Sequence, residues 1–436
     1  MNEQIKKELE VLQERKRKFI NAGKESGDWE GIEALLPKFY EKKEHFIYEL
    51  IQNAEDCKAT KVRFTVLDDQ LQFRHNGRKF DIRDIESICT IAKSSKDGNG
   101  KIGKFGIGFK SVYIFTNTPS IYSDDICFQI QKMLIPIEID NNYKLQCQAD
   151  ETIFIFPFDN PQRKETASKD LDLWLQQIDG NTLLFLNHIK SIEYFLSDGR
   201  KGFLEMTNSN SDNRFCHLNT LLDNSQKDQS DWLKFTKHVE LKIPNDKGKL
   251  EDKQIKIDVA YNLAKNDSNS MQNNTDKEKL NENKNKWDIV PTDDKVYIYF
   301  LAEAEKSNLR FYINAPFACP PSRDRVYQKD ENNKILLQSL SQLIAESIPQ
   351  IKDLGLLTTN FFDILPNNQD LDPFYKPIQE SIFKVFQEQD LIPLVDGGFG
   401  RYNSVIRTSK DVRKWLTQLD IQMIYKDPKL SYMLNP

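Results

Sequence analysis

Two stretches of the chain concentrate residue types that could do chemistry. In YELIQNAEDC, the side chains of Glu49, Asn53 and Asp56 recur at i, i+4 and i+7, which places them on one face of a helix. Carboxylates and amides can transfer protons or bind a hard cation, but a solvated helix face gives the same pattern. The second stretch, GKIGKFGIGFKS, lies in the segment 98–108, which holds five of the chain's 17 glycines. This density predicts a loop with unusual backbone angles, or a backbone that another group approaches closely.

The elements around these stretches predict a mixed α/β arrangement. An amphipathic N-terminal helix and a helix over 36–59, opened by Pro37, precede a hairpin of the alternating strands TKVRFTVL and LQFRHN. A helix capped by Asp81 leads into the glycines, and FKSVYIF continues as helix before the strands ICFQIQKMLIP and ETIFIFPF. Because the glycines follow a helix rather than a strand and lack the GxxxxGK[ST] order, the pattern argues against a dinucleotide-binding or Walker-type loop.

The order of four motifs resembles the GHKL superfamily of ATPases, which includes gyrase, heat-shock chaperones, histidine kinases and MutL. The motifs are ExxxN at Glu49 and Asn53, a strand that ends in HNG, the turn SSK, and GKIGKFGIG before a helix. The resemblance is closest to bacterial sacsin-like ATPases, in which HNGRKF takes the place of DxGxG and a run like INAPFACPPSRDRV follows. It covers residues 30–160 strongly and 295–330 more loosely, and LIPLVDGGFGRYNSV looks like a further segment of that family.

The resemblance implies ATP as the ligand and Mg²⁺ as its cofactor. Glu49 matches the general base that activates water, and Asn53 matches the residue that holds Mg²⁺. Lys96, within the expected ATP lid over 93–104, matches a lysine that contacts phosphate, and Thr152 matches a threonine of the nucleotide site. Backbone groups at the nucleotide are expected from Gly77 and, for the phosphates, from Gly103, Lys104, Phe105, Gly106, Ile107, Gly108 and Phe109.

The end of the site that reads adenine departs from the family pattern. The family has an aspartate that accepts a hydrogen bond from the adenine amino group, and this chain has His75 there. Lys79 and Glu151 also stand where the family has glycine. The bond could be accepted instead by the amide oxygen of Asn76, by a neutral His75 nitrogen or by Asp56.

The second half of the chain offers two further features. From about residue 180 it becomes rich in strands, and a helix follows over 332–354. Related ATPases use a basic residue of their second domain to reach the γ-phosphate, so SRDRV makes Arg323 and Arg325 candidates, with an ordinary surface loop as the alternative. The segment 262–286 has almost no apolar residues and is expected to be disordered.

These features together predict an α+β protein. A two-layer α/β sandwich of the GHKL type, with an N-terminal helix, is expected over 1–175, a second α/β domain over 176–354 and a mainly helical region over 355–436. The content of 39% hydrophobic and 29% charged residues is typical of a soluble globular protein, and the net charge of −5 argues against a nucleic-acid platform along the whole chain. Six cysteines without a CxxC pair argue against zinc, and a cytoplasmic location without membrane partners is expected.

The resemblance implies an ATP-hydrolysing conformational switch. Its expected partners are ATP, a second copy that binds when ATP is present, and a protein client or nucleic acid. Chaperone-like work and a bacterial antiviral defence system both fit this description. The alternative is a module that senses nucleotide or binds a partner without hydrolysis, and the presence of both Glu49 and Asn53 favours hydrolysis.

Overall fold

The structure is a computed structural model that describes most of the chain. The described residues are 1–35, 45–90, 108–140, 150–222, 226–244, 250–265, 287–320, 322–367 and 371–434. The expected lid over 93–104 therefore lies outside the described residues. The other four glycines of the segment 98–108 lie outside them too, and only Gly108 is described.

Helices form where apolar residues recur at helical spacing. They are α1 (Glu3–Ser26), α2 (Asp28–Leu35), α3 (His45–Asp56), α4 (Ile82–Ile88), α5 (Ala167–Gln176), α6 (Glu331–Asp353), α7 (Lys376–Glu388), α8 (Lys410–Trp415) and α9 (Gln418–Tyr425). The side chain of Asp81 caps α4 as predicted, because it accepts hydrogen bonds from the backbone N–H groups of Arg83 and Asp84. Among the described helices, none carries an apolar stretch long enough to cross a membrane.

Strands make up most of the middle of the chain. They are β1 (Lys61–Val66), β2 (Gln70–His75), β3 (Ser120–Ser123), β4 (Ile126–Gln131), β5 (Ile135–Glu138), β6 (Thr152–Pro157), β7 (Ser191–Phe195), β8 (Lys201–Asn208), β9 (Phe215–Leu222), β10 (Gln226–Pro244), β11 (Leu250–Lys265), β12 (Trp287–Val290), β13 (Val296–Ile298), β14 (Phe300–Leu301), β15 (Tyr312–Asn314), β16 (Ile392–Pro393), β17 (Phe399–Gly400), β18 (Val405–Ile406) and β19 (Ser431–Tyr432). The hairpin of β1 and β2 agrees with the alternating pattern of the sequence.

One mixed sheet runs through the molecule, so the fold is mixed α/β. Strands β1 to β15 follow the order β14-β13-β15-β11-β10-β9-β8-β7-β1-β2-β6-β3-β4-β5, and β12 pairs with β11. The first six strands join the later ones through a parallel pairing of β1 with β7, from Lys61 opposite Ser191 to Thr65 opposite Phe195. The sheet therefore continues without a break across the expected boundary between residues 175 and 176.

The two largest apolar cores among the described residues lie against this sheet. In the first, α3 buries Phe46, Leu50 and Ile51 against β1, β2 and β6, and the same core reaches Tyr297 and Tyr312 of the later strands. In the second, α6 packs on β10 and β11, and α7 packs on α6. The first core thus holds α3 rigidly on the strands from which the candidate site is built.

Two sequence-based expectations are wrong in detail, and the mainly helical C-terminal region also contains short strands. The run ICFQIQKMLIP forms two strands, because the chain turns at Lys132 and Met133, both with positive φ (46° and 63°). Because this turn contains no glycine, the local sequence does not predict it. The turn is stabilised by the buried Nζ of Lys110, which donates to the backbone oxygen of Met133 at 2.7 Å. Of the expected disordered segment 262–286, the first four residues belong to β11, and residues 266–286 lie outside the described chain. The C-terminal region contains β16 to β19 beside its helices.

Candidate functional site

Helix α3 orients the first group of candidate residues. Its apolar side chains Phe46, Leu50, Ile51 and Ala54 are buried in the first core. The other face carries Glu49, Asn53 and Asp56, all of intermediate exposure. The predicted polar face therefore exists, and it lies at the edge of the core instead of in open solvent.

The carboxylate of Glu49 lies against two groups from distant parts of the chain. A guanidinium nitrogen (Nη2) of Arg323 donates to Glu49 Oε1 at 3.3 Å, and both side chains are mostly buried, with 12% and 15% of their areas exposed. Gly108 begins a 3₁₀-helix directly beside the carboxylate. A Cβ atom on Gly108 would lie 1.8 Å from Glu49 Oε2. The last glycine of the predicted loop is therefore required by a close approach, and the group that approaches is the candidate base.

The loop that carries Arg323 is held at both ends. Arg323 has a φ of +51°, in the left-handed region. The buried amide of Asn333 on α6 accepts from the N–H of Ala318 and donates to the backbone oxygens of Ala318 and Tyr327. The side chain of Arg325, by contrast, is 64% exposed beside Asp324. The structure thus brings Arg323 to Glu49 and leaves Arg325 away from it.

A second carboxylate supports the same loop. Glu305 is buried, and its Oε2 accepts from the N–H of Val326 at 2.7 Å while its Oε1 accepts from the hydroxyl of Tyr375 at 2.8 Å. Tyr375 directly precedes α7. The position of Arg323 is therefore linked to the helices that cover the second core.

His75 ends β2 in a closed, aromatic environment. Its ring lies between those of Phe73 and Phe154, with centroids 6.0 and 5.8 Å away. Its Nδ1 accepts from the backbone N–H of Gly77 at 3.1 Å. Burial, assisted by the nearby charge of Lys79, lowers the pKa of His75 to about 3, so the imidazole is neutral.

Asn76 and Gly77 have structural partners. Asn76 Oδ1 accepts from the backbone N–H groups of both Thr60 and Lys61, and its Nδ2 donates to the hydroxyl of Thr60. In this structure the amide oxygen therefore already receives two hydrogen bonds, and the expectation that it accepts from adenine stays a prediction. A Cβ atom on Gly77 would lie 2.7 Å from the backbone oxygen of Cys57, so glycine is needed where β2 passes the end of α3.

The departures from the family pattern lie together. Lys79 Nζ donates to the backbone oxygen of Glu151 at 2.5 Å, so these two replacements of glycine are in contact. Thr152, which follows Glu151, pairs in register with His75 on one side and with Ser123 on the other. His75, Lys79 and Glu151, the positions that depart from the family pattern, are therefore neighbours in the structure.

The glycine-rich loop is described only at its end. Phe109 packs its ring near Phe154 and Phe156 in the first core. Lys110 is buried, and its Nζ donates to the backbone oxygens of Ile88 and Met133. Six expected nucleotide-binding residues lie outside the described residues: Lys96, Gly103, Lys104, Phe105, Gly106 and Ile107.

One important carboxylate was missed from the sequence. Glu55 is buried, and its two oxygens accept from the backbone N–H groups of Asn187, His188 and Ile189 at 2.7 to 3.2 Å. It thereby attaches the end of α3 to the turn that precedes β7. The available signal was its position four residues after the buried Ile51, which places a charged side chain on the apolar face of the helix.

The donors near α3 fit a cation that arrives with its ligand. No group of three or more His, Cys, Asp and Glu side chains that could hold a metal lies within the described part of the chain. Mg²⁺ commonly keeps several waters and takes one or two protein oxygens together with substrate phosphates. The amide of Asn53, one turn from Glu49 on the partly exposed face, suits that limited role.

Comparisons with known proteins agree with these motifs. Residues 71–154 match the family model described as Sacsin domain. Over 132 residues the chain is 33% identical to Sacsin of Homo sapiens, an alignment that covers 25% of this chain and 3% of that protein. The chain is sacsin-like.

Two other relatives extend the similarity. Protein NO VEIN of Arabidopsis thaliana is 26% identical over 188 residues, which cover 37% of this chain and 7% of that protein. Chaperone protein HtpG of Buchnera aphidicola is 30% identical over 128 residues, which cover 21% of this chain and 20% of HtpG. The predicted resemblance to sacsin-like ATPases of the GHKL type is confirmed. The sacsin-like chain spans only a small part of each of these relatives.

Proposed function

We propose that the sacsin-like chain binds and hydrolyses Mg²⁺·ATP at α3 and acts as a conformational switch. The N-terminal part would then form the two-layer sandwich of GHKL ATPases. The observation that carries the proposal is the contact of Glu49 with Arg323, 274 residues apart in sequence. A carboxylate can act as the general base for an attacking water, and a guanidinium can stabilise the charge on the transferred phosphoryl group.

Each of these groups has a defined task in the proposed reaction. A water molecule attacks the γ-phosphorus, its proton passes to Glu49, and ADP leaves with the electrons of the broken P–O bond. Arg323 stabilises the negative charge on the transferred phosphoryl group. Mg²⁺, when bound, neutralises phosphate charge, and Asn53 is the residue that would hold it.

Exchange of partners by Arg323 would make the site a switch. Arg323 contacts Glu49 in the structure, and a γ-phosphate offers the guanidinium a competing anion of higher charge. Movement of Arg323 toward phosphate would pull on a loop attached to Asn333 of α6 and, through Glu305, to Tyr375 before α7. ATP would then favour one arrangement of these helices over another. The chaperones among the relatives favour a chaperone-like task for this movement.

Substitution of the base tests the proposal. We expect Glu49→Gln to bind Mg²⁺·ATP in calorimetry and to release phosphate at least about 10²-fold more slowly than the parent chain. Glu10→Gln, on the exposed side of α1, is the matched control and should change neither quantity. Turnover at the parental rate would show that Glu49 is not the base. Binding without turnover in the parent itself would support the alternative, a nucleotide-sensing or partner-binding module.

A further inference from the structure

A buried pair of opposite charges lies on β11, outside the residues assigned to the proposed nucleotide site. The Nζ atom of Lys256 is 3.6 Å from Oδ2 of Asp258, and the two side chains are 14% and 0% exposed. We call these two residues the β11 ion pair. Removal of two charges from water costs free energy, which a pair recovers only with good geometry and further hydrogen bonds. The other partners of the two residues therefore indicate what the pair does.

Lys256 holds the turn that precedes β7. Its Nζ donates to the backbone oxygen of Phe185 at 3.1 Å and to Oδ1 of Asn187 at 2.9 Å. The backbone N–H of Asn187 in turn donates to Oε1 of Glu55 at 2.7 Å. Because Glu55 belongs to α3, the single residue Asn187 connects the ammonium of Lys256 to the helix that carries Glu49.

Asp258 holds a strained turn between β13 and β14. Its Oδ2 accepts from Nδ2 of Asn314 at 2.9 Å, and Oδ1 of Asn314 accepts from the backbone N–H of Tyr299 at 2.8 Å. Tyr299 has a φ of +65°, in the left-handed region that bulky side chains rarely adopt. Such a conformation costs free energy and persists only where surrounding contacts fix it. The fully buried amide of Asn314 provides such a contact.

The strained turn reaches α3 on the other side of Glu49. The centroid of the Phe300 ring lies 4.8 Å from that of Tyr48, which directly precedes Glu49 in α3. Tyr299 and Phe300 both belong to the first core, although they come from the later strands. Helix α3 is therefore held through Tyr48 before Glu49 and through Glu55 after it. Both contacts lead back to the β11 ion pair.

We propose that the β11 ion pair positions the proposed general base, because it fixes both ends of α3 and thereby the place of Glu49 beside Arg323. Lys256 and Asp258 act through the helix, so they are positioning residues. This inference rests on the proposed function, since it needs Glu49 to take the proton from water. A displacement of about 1 Å in a reacting group can slow a reaction by about 10²-fold while the substrate still binds.

Substitution of Lys256 separates positioning from nucleotide binding. Lys256→Met keeps most of the side-chain length and removes the donors to Phe185 and Asn187. We expect phosphate release per bound nucleotide, at saturating Mg²⁺·ATP, to fall at least about tenfold. The dissociation constant of Mg²⁺·ATP in calorimetry should stay within about threefold of the parent. Because the rate is expressed per bound nucleotide, an unfolded fraction does not contribute to it.

The control and the contrary outcomes are equally specific. Lys242→Met, at an exposed position of β10, should change neither quantity. Full turnover per bound nucleotide in Lys256→Met would overturn the inference and leave the proposed function intact. A loss of affinity as large as the loss of turnover would also overturn it, because the pair would then support the whole nucleotide site. Absence of turnover by the parent chain would overturn both.

A second variant tests the route through Asn187. Asn187→Ala removes one acceptor of Lys256 at a partly exposed position and keeps the backbone N–H that donates to Glu55. We expect turnover to fall about threefold in the parent, and hardly further in the Lys256→Met background, because both changes break one contact. Losses that multiply in the double variant would overturn the route. If Lys256→Met does not fold, Asn187→Ala decides, and unchanged turnover contradicts the inference.

Discussion

The two ends of the candidate site are built in different ways. At the phosphate end, Glu49 and Arg323 are charged, and they come from parts of the chain that only the tertiary fold brings together. At the base end, His75, Ser123 and Thr152 are neutral, buried and placed by neighbouring strands of one sheet. The first end consists of groups that can exchange partners, and the second consists of groups whose positions are set by strand register.

This difference separates two properties of the proposed ATPase. Arg323 and Glu49 form an ion pair at 3.3 Å between mostly buried side chains at the edge of the core, and a phosphate can replace the carboxylate as the partner of the guanidinium without taking apart the core. The base end cannot rearrange in this way, because Phe73 and Phe154 enclose His75. We therefore expect changes at the phosphate end to affect turnover, and changes at the base end to affect selectivity and stability.

The largest expected effect distinguishes two arginines of one loop. Arg323→Ala should lower ATP turnover by about 10³-fold, because the charge on the transferred phosphoryl group loses its counter-ion. Arg325→Ala, in the same loop but exposed, should leave turnover within about twofold of the parent. Initial rates of phosphate release measure both. Equal losses in the two variants would mean that the loop acts through its net charge, and that the contact with Glu49 has no special role.

A somewhat smaller effect is expected from one methyl group. In Gly108→Ala the new Cβ would overlap Glu49 Oε2, so the carboxylate must move, and we expect turnover to fall by about 10²-fold. The matched control is Gly31→Ala on α2, where a Cβ would meet no atom within 4 Å. Turnover and thermal unfolding are measured together. A Gly108→Ala chain with full activity would show that the close approach to Glu49 is not needed for catalysis.

The base end predicts a dependence of stability on pH. The pKa of His75 is about 3 in the folded chain, and an unfolded histidine has about 6.5, so below pH 6.5 only the unfolded chain takes up this proton. Proton uptake by the unfolded state lowers the free energy of unfolding as pH falls, by about 2 kcal/mol at pH 5 from this residue. Urea unfolding of the parent and of His75→Gln at pH 7 and pH 5 isolates the contribution. Identical losses in both chains would show that His75 is protonated in the folded state.

The smallest effect concerns Asn76. Because its amide holds the start of β1, Asn76→Ala should reduce the free energy of unfolding by about 1 kcal/mol and leave the ratio of ATP to GTP affinity unchanged. Chemical unfolding and competition binding measure the two quantities. A change in nucleotide selectivity without loss of stability would restore Asn76 as the residue that reads the base.

The sequence predicts those parts of the fold and the site that depend on residues close together in the chain. The face of α3, the hairpin of β1 and β2 and the cap at Asp81 follow from residue spacing within a few turns. After residue 180 the sequence predicts only a strand-rich region, and it does not give the bounds of β8 and β9, whose runs mix glycine, asparagine and threonine with apolar residues. The contact of Glu49 with Arg323 was only a candidate, since no local pattern reports on residues so far apart.

The same limit applies to buried polar groups. Lys110 follows the glycine loop in sequence and could belong to a phosphate site, yet its ammonium binds two backbone oxygens inside the protein. From residue type alone, Asn76 and His75 are equal candidates for contact with the base. Only their hydrogen-bond partners in the structure distinguish them. Partners of this kind depend on tertiary packing, so residue type alone could not assign them.

The attachment of α3 to the turn before β7 also has a consequence for how the chain is made. Strand β1 pairs in parallel with β7, which lies 130 residues later in the chain. The backbone N–H groups that donate to Glu55 lie just before β7. A ribosome must therefore release residues up to about 195 before the helix that carries Glu49 acquires all of its support. A truncated protein that stops at residue 175 would expose an unpaired strand edge and a carboxylate without donors, which favours aggregation over folding. Any genetic dissection of this chain should therefore keep β7 together with β1.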